Sequence, residues 1–374
     1  MARSKLQKIN SVLLFSFLVI IGLYYGAAFL IPLTFGVFFT TLMIPICNFL
    51  ENKLNLGRII ASFLSTFILF ILIGGLFFLL FSQLNLFIND LLERKGDVFG
   101  FVDTVRQQIV DSTGFTLKQQ NEMFNERLYG MLKQAQTHLS NVFSEFINIL
   151  VSFLLTLIYV FLFLINRKKF HSFLMKYVSE EKKQNTKQIL DKAKNVANRY
   201  LWGRIQVMFV LGIMYAITFL AYDLEYTALL LIFGVLITII PYIGPFLSGL
   251  LPILFMLVMS QNSTEILSFT ILIIIIQLIE SYVLEPLLIG SEVKQSPLFI
   301  IIAIVLGGAI WGFAGLVLFV PLFGVMKIIF DHTPELKPAG FLIGYEESGA
   351  KLEFLSHWKN KIMGRGKRNE GRES

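Results

Sequence analysis

The stretch that decides the fold is Pro241-Tyr242-Ile243-Gly244-Pro245-Phe246-Leu247-Ser248-Gly249-Leu250-Leu251-Pro252. It lies in the most hydrophobic part of the chain, where Glu265 is the single charged residue between Tyr226 and Ile279. Proline removes a backbone hydrogen-bond donor, and glycine admits turns that other residues resist. Because unpaired backbone groups cannot face lipid, a helix broken at membrane depth has to be buried in protein or line an aqueous cavity. The stretch therefore predicts either a broken helix beside a solute path or a tight turn at the membrane surface.

The composition is that of an integral membrane protein. Of the 374 residues, 55% are hydrophobic and 15% are charged, whereas soluble domains carry about 25% charged residues. The net charge of +7 comes from Lys and Arg clustered in a few loops and the tail, which favours binding to anionic lipid headgroups over nucleic acid. The single cysteine, Cys47, excludes an intramolecular disulfide, and the four histidines lack metal-ligand spacing. Because HExxH, Gly-x-Ser-x-Gly and phosphate-loop motifs are also missing, the sequence predicts no enzyme, no metal and no cofactor.

Apolar runs of about 20 residues predict membrane-spanning helices. The first run is too long for a signal peptide and predicts a retained helix that ends at Pro32. Full spans are predicted at residues 12–30, 33–50, 59–81, 146–165, 205–221 and 265–284, the last closed by Glu285-Pro286. The predicted segments are spans one to three at 1–82, an extracytoplasmic helical insert at 83–145, span four at 146–166, a basic cytoplasmic connector at 167–204, the transport core at 205–330 and a basic, partly disordered cytoplasmic tail at 331–374.

Two apolar runs, 227–260 and 297–326, are too long for one perpendicular crossing and are interrupted by proline and glycine. If both form re-entrant hairpins, the chain is an all-α membrane protein with six full spans, and if both cross once with a kink it has eight. Ser296-Pro297 predicts the start of the second run. Gly308 and Gly312 have the small-xxx-small spacing that allows close backbone approach. Either count leaves both termini in the cytoplasm, where the basic residues also favour them.

Two polar segments are predicted to be helical. In the insert, apolar residues recur at spacings of three and four after a capping box of Thr116 and Gln119, which predicts an oligomerisation arm or a hairpin packed on itself. The connector carries eleven Lys or Arg between residues 167 and 204, the strongest cytoplasmic signal in the chain. Its helix is predicted to start at Ser179 and to be either a solvated connector or a membrane-surface helix whose lipid face is formed by Ile189, Val196 and Tyr200.

Glu280 is the leading candidate for a functional side chain, because an ionisable group inside a span is costly and indicates a proton, cation or polar-solute site. The alternatives are that Glu280 lies near the interface, or that it is neutral and bonded to a backbone group in a hairpin. Gln277 lies on the same helix face, and the rest of the predicted path consists of Pro241, Tyr242, Gly244, Pro245, Ser248 and Gly249. Helix breaks and close packing are predicted at Pro252, Gly307, Gly308, Gly312, Gly315 and Pro321. Arg204, Gln206 and Glu285 are candidate gating or loop groups, and the alternative for Arg204 is that it only extends to lipid headgroups.

Several motifs, in the same order, resemble those of the autoinducer-2 exporter family of bacterial and archaeal permeases. The similarity covers about residues 1–338 and is strongest after Tyr200. The motifs are Tyr200-Leu201-Trp202-Gly203-Arg204-Ile205-Gln206, Pro241-Tyr242-Ile243-Gly244-Pro245-Phe246, Gln277-Leu278-Ile279-Glu280-Ser281-Tyr282-Val283-Leu284-Glu285-Pro286, Gly290, Ser296-Pro297-Leu298, Gly307-Gly308, Gly312, Gly315 and Pro321. The resemblance implies a multi-pass permease of a prokaryotic plasma membrane that forms a homo-oligomer, with a pentamer and an elevator-like moving part as the suggested form.

The residues and the resemblance together support three functions. The first is a secondary transporter that exports a small solute without ATP, such as the quorum-sensing furanone after which the family is named. The second is a sodium or lithium/proton antiporter with Glu280 as the exchanged-proton site, an activity that some family members resemble. The third is a membrane scaffold that recruits partners through the insert and the basic loops.

Overall fold

The protein is built from helices. The computed structural model describes residues 2–93, 149–260, 262–289 and 295–344. Within these ranges the chain forms ten α-helices, a π-helical segment and a short 3-10 helix, and its β pairing is limited to one bridge between Gln295 and Gly344. The α-helices are α1 (Ala2–Tyr25), α2 (Ala27–Lys53), α3 (Arg58–Glu93), α4 (Ile149–Lys176), α5 (Glu180–Ala221), α6 (Thr227–Ile237), α7 (Ile243–Met259), α8 (Ser263–Ile279), α9 (Pro297–His332) and α10 (Lys337–Ile343). The all-α prediction is confirmed.

Six helices in the described ranges are long and apolar enough to cross a membrane: α2, α3, α4, α5, α8 with its π-helical extension, and α9. The predicted set of six differs in one member. The apolar part of α1, Leu13–Tyr25, is shorter than the span predicted at residues 12–30. In its place α9 is long and apolar enough to cross a membrane, although it is kinked. The chain is a multi-pass membrane protein.

The first break in the chain lies at Gly26, which corrects the prediction that Pro32 ends the first helix. α1 ends at Tyr25, and the Gly26 N–H still donates to the Gly22 carbonyl at 2.9 Å before α2 begins. Pro32 lies inside α2 and is buried. Burial of Pro32 therefore offsets the loss of one backbone hydrogen bond, and the helix continues through this proline.

α5 is one continuous helix, whereas the sequence predicted a separate connector helix and span. It begins after Ser179, as predicted, and its 42 residues extend about 63 Å, roughly twice the thickness of the bilayer core. The segment boundary predicted at residue 204 falls inside this helix, because backbone hydrogen bonds continue across the change from charged to apolar side chains. Val196 and Tyr200 are buried, and Tyr200 belongs to a core cluster with Trp311, so these residues do not face lipid.

α6 and α7 form the first broken run. Their 11 and 17 residues extend about 16 and 25 Å, so each is shorter than the bilayer core, and they pack against each other. The turn between them has Tyr242 at φ 63° and ψ −52°, a conformation that non-glycine residues rarely adopt. A Cβ at Gly244 would lie 2.2 Å from the Ile237 carbonyl oxygen, so this position requires glycine. The break that the sequence predicted in Pro241–Pro252 is therefore present, but it is confined to residues 238–242, because α7 continues through Pro252, where a break was also predicted.

α9 contains the second broken run, and it folds back on itself. Gly312 has φ 57° and ψ −136°, which is accessible to glycine and strained for other residues. A Cβ at Gly307 would lie 2.3 Å from the Gly315 carbonyl oxygen, although residues eight apart in a straight helix are separated by about 12 Å. The close backbone approach thus joins Gly307 to Gly315, whereas Gly308 lies against the Leu316 side chain and Gly312 forms the kink. Ser296 caps the start of α9, as predicted, and its hydroxyl accepts from the Phe299 N–H.

A mostly buried ion pair joins α2 to α4. Arg167 donates through Nη2 to Glu51 at 2.5 Å and through Nη1 to the Cys47 sulfur at 3.3 Å. Cys47 is fully buried and also contacts Ser62 of α3 at 3.8 Å. These contacts hold one end of the first three spanning helices together.

A second contact joins α1 to α9. The Trp311 indole N–H donates to the Leu23 carbonyl at 2.9 Å and fixes the end of α1 to the fold-back of α9.

Several predictions concern residues outside the described ranges. These are the insert beyond Glu93 with its Thr116 capping box, the Gly290 motif position and the tail after Gly344.

Candidate functional site

The candidate site lies along the contact between α5 and α8 with its π-helical extension, Glu280–Ile289, which we call the α5–α8 seam. At one end of the seam, a Cβ on Gly203 would lie 2.6 Å from the Leu288 carbonyl oxygen, so the two backbones touch. At the other end, Gln277 bonds to Tyr215. As residue numbers rise along α5 they fall along its partner, so the helices are antiparallel. The π-helical segment continues through Glu285-Pro286, where the sequence predicted the end of the span.

Tyr215, Ser248 and Gln277 form a closed hydrogen-bond network at one end of the seam, which we call the polar trio. The Gln277 amide donates to the Tyr215 hydroxyl and, at 3.0 Å, to the Ser248 hydroxyl. The two hydroxyl oxygens lie 3.2 Å apart, and Ser248 donates to the Pro245 carbonyl at 3.1 Å. Tyr215 and Ser248 are fully buried. The polar trio thus ties α5, α7 and α8 together near the start of α7.

Two glycines lie against the polar trio, and Gly249 makes room for it. A Cβ on Gly249 would lie 3.0 Å from Cγ of Gln277, so the missing side chain lets Gln277 reach across α7. A Cβ on Gly234 of α6 would lie 3.5 Å from the Tyr215 ring. The short helices α6 and α7 therefore both press small residues against the seam.

Glu280 lies at the first position of the π-helical segment, between the polar trio and the far end of the seam. Its exposed fraction is 0%, and neither carboxyl oxygen has a hydrogen-bond partner among the residues that the structure describes. Arg204 and Glu285 are the charged groups that act on it electrostatically. A buried carboxyl without a partner is costly, so Glu280 satisfies the condition that made it the leading candidate.

Arg204 forms a buried ion pair at the far end of the seam. Its Nη1 donates to Glu285 Oε1 at 2.5 Å, and the guanidinium is almost completely buried while Glu285 is one-third exposed. This position excludes the alternative that Arg204 extends to lipid headgroups. Arg204 Nε and Nη2 are buried without a partner in the described ranges, as is the hydroxyl of Tyr200 one turn earlier.

The structure brings some predicted site residues together and separates others. Glu280, Gln277, Ser248, Gly249, Arg204 and Glu285 meet in the seam. Gly244 and Pro245 form the adjacent turn, whereas Tyr242 is 52% exposed and Gln206 points away on the exposed face of α5. Gly307 and Gly315 belong to the separate fold-back of α9, and Pro321, where a helix break was predicted, is buried inside the second arm of that helix.

Tyr215 is the site residue that the sequence did not reveal. A signal was present, since Tyr200, Arg204, Val207, Leu211 and Tyr215 recur at spacings of four and three and all are buried. That stripe marks the packed face of α5. Its two tyrosines and one arginine distinguish it from an ordinary apolar face.

Comparison with known proteins agrees with this architecture. A family model described as AI-2E family transporter matches residues 13–335. The chain is 25% identical over 310 residues to "Putative transport protein YrrI" of Bacillus subtilis, covering 81% of this chain and 86% of the relative. It is 31% identical over 137 residues to "Putative transport protein YueF" of the same organism, 37% of each chain, and 25% identical over 220 residues to a "Putative transport protein" of Borreliella burgdorferi, 58% of this chain and 61% of the relative. Because this family model matches most of its length, the chain belongs to the AI-2E transporter family.

Proposed function

We propose that this permease is a secondary transporter that exports a small polar solute without ATP, with the furanone signal after which the family is named as the first candidate cargo. The observation that carries the proposal is the row of buried polar groups in the α5–α8 seam, beside the broken α6–α7 pair. Polar side chains buried in membrane-spanning helices are costly, and they mark solute and ion pathways. Discontinuous helices near such groups are the usual construction of a transport site.

Within this proposal the polar trio and Glu280 contact the solute. The hydroxyls of Tyr215 and Ser248 and the amide of Gln277 both donate and accept, which suits a polar solute rich in hydroxyl or carbonyl groups. Glu280 supplies an acceptor that has no partner among the described residues and can bind the solute. We further propose that the α6–α7 pair is a re-entrant hairpin, because its arms of 11 and 17 residues are shorter than or close to the minimum for a span.

Replacing Glu280 tests the proposal. Losing one charge-assisted contact costs about 1.5–3 kcal/mol, so we expect Glu280→Gln to lower solute flux roughly tenfold or more. The measurement is flux of the furanone signal and of a panel of polar solutes in liposomes containing the purified protein. The matched control is Glu265→Gln on the same helix, whose half-buried carboxylate accepts from the Ser260 hydroxyl at 2.8 Å, outside the seam. Full flux with Glu280→Gln, at equal incorporation into membranes, would refute the assignment.

Two further arms of the experiment address the other functions. Sodium- or lithium-driven proton movement in the same liposomes, without solute flux, would favour an antiporter. Loss of function on deleting the insert, with substitutions in Pro241–Pro252 silent, would favour a scaffold. We expect neither. By family likeness we propose a homo-oligomer in a prokaryotic plasma membrane, with both termini in the cytoplasm and no enzymatic activity.

A further inference from the structure

The far end of the seam contains two carboxylates and one arginine. Glu280 and Glu285 are the first and sixth residues of the π-helical segment, in which backbone bonds join residues five apart. Five residues make about one turn of such a helix, so both side chains lie on the face towards α5. In an α-helix the same spacing would turn the second side chain well away from the first, because a turn takes 3.6 residues. The π-helical geometry thus gives the seam two carboxylates where an α-helix would give one.

Arg204 satisfies one of these carboxylates in this structure. Its Nη1 is bound to Glu285, while Nε and Nη2 are buried with no partner in the part of the chain that the structure describes. Nε and Nη2 lie on one edge of the guanidinium, and a pair of parallel N–H groups of this kind binds a carboxylate with two hydrogen bonds. Both oxygens of Glu280 are buried and lack a partner among the same residues. The unused donors and the unused acceptors therefore lie in one seam and complement each other.

We propose that Arg204 exchanges partners between Glu285 and Glu280 during transport, so that it is a positioning residue that couples the state of Glu280 to the contact between α5 and the π-helical segment. This inference rests on the proposed transport function. When Glu280 binds solute or is neutral, Arg204 stays with Glu285. When Glu280 is released as an anion, the free edge of Arg204 closes on it and the Glu285 contact loosens. Because Gly203 lies directly against Leu288, movement at Arg204 is transmitted to the backbone of the π-helical segment.

Stability measurements on the full chain test the exchange without any solute. In Glu280→Gln and in Glu285→Gln, Arg204 keeps one carboxylate, so we expect small decreases in the thermal unfolding midpoint of the purified protein. In the double variant Arg204 is buried without a counter-ion, so the midpoint falls by clearly more than the sum of the two single decreases. Adding Arg204→Gln to the double variant restores most of that loss. If Glu285→Gln alone is as unstable as the double variant, or if the triple variant is no better than the double, the inference is wrong.

Thiol labelling separates an exchange from a merely structural role. Ser248→Cys in a Cys47→Ala background provides a single reporter in the seam, since Cys47 is the one cysteine of the chain. Glu280→Gln retains the Arg204–Glu285 pair of this structure and Glu285→Gln forces the other, so we expect maleimide labelling of position 248 to stay at the parent level in the first variant and to change in the second. Equal labelling in both variants would overturn the inference. Because labelling requires no cargo, absence of flux for every solute would refute the transport proposal while leaving this result interpretable.

Discussion

The turn between α6 and α7 predicts a large effect of one added methyl group at Gly244. A Cβ there would lie 2.2 Å from the Ile237 carbonyl oxygen and 2.5 Å from the Thr238 Cα. Ordinary contact between such atoms needs about 3.5 Å, so the backbone of the turn would have to open by more than about 1 Å. Overpacking of this kind costs about 1–3 kcal/mol and sometimes more, and backbone atoms cannot rotate away as a side chain can. We therefore expect Gly244→Ala to lower the free energy of unfolding by about 3 kcal/mol, and to abolish flux.

Two other glycines provide controls of graded severity. At Gly249 the added methyl group would meet the flexible Gln277 side chain at 3.0 Å, so we expect a stability loss of about 1 kcal/mol with a marked loss of flux as the amide leaves the polar trio. At Gly75 no described atom lies within 4 Å, and alanine improves helix propensity by up to about 1 kcal/mol, so the variant should be neutral or slightly stabilised. Titration with SDS in mixed micelles measures all three free energies. If Gly244→Ala unfolds at the same SDS fraction as Gly75→Ala, the close approach in the turn does not exist as described.

Two predictions concern the anchoring of the helices. Glu51→Gln removes the charge that Arg167 binds. Because both side chains are mostly buried, we expect the free energy of unfolding in the same titration to fall by about 1.5–3 kcal/mol. The control Glu180→Gln, at an exposed ion pair, should change it by less than about 1 kcal/mol. Equal effects of the two would contradict the anchoring role. Trp311→Phe keeps the ring and removes the N–H that binds the Leu23 carbonyl, so we expect a loss of about 1 kcal/mol and faster hydrogen exchange at the end of α1, with unchanged exchange in α1 counting against this contact.

The hydrophobic pattern predicted the positions of most spanning helices and both broken runs, because apolar length and proline or glycine act locally. It misplaced the first break, because burial of Pro32 is a tertiary effect that composition does not report. It divided α5 at the change from charged to apolar side chains, although backbone hydrogen bonds cross that change. No local sequence signal of comparable strength predicts the π-helical geometry of Glu280–Ile289 or the continuation of the helix through Pro286.

The same distinction applies to the candidate site. Glu280 could be singled out because one carboxyl in an apolar run is unusual whatever surrounds it. Tyr215 could not, since its partners Ser248 and Gln277 are 33 and 62 residues away in sequence and a tyrosine in a span is usually a packing residue. The sequence places Arg204 at the start of a span because the residue borders a charged segment. Only the packing of Gly203 against Leu288 moves it from the boundary into the seam.

The two ends of the seam differ in a way that argues for function over simple stability. Stable proteins leave few buried polar groups without partners, and the polar trio obeys this rule, because its three side chains satisfy one another and the Pro245 carbonyl. The end with Arg204 and Glu280 does not, within the residues described, although the unused donors and acceptors are chemically matched. A purely structural cluster gains nothing from that arrangement, since replacing such charges with apolar groups is often neutral or stabilising. The arrangement is advantageous if the unused groups find partners in another state of the protein, as alternating access to a solute requires.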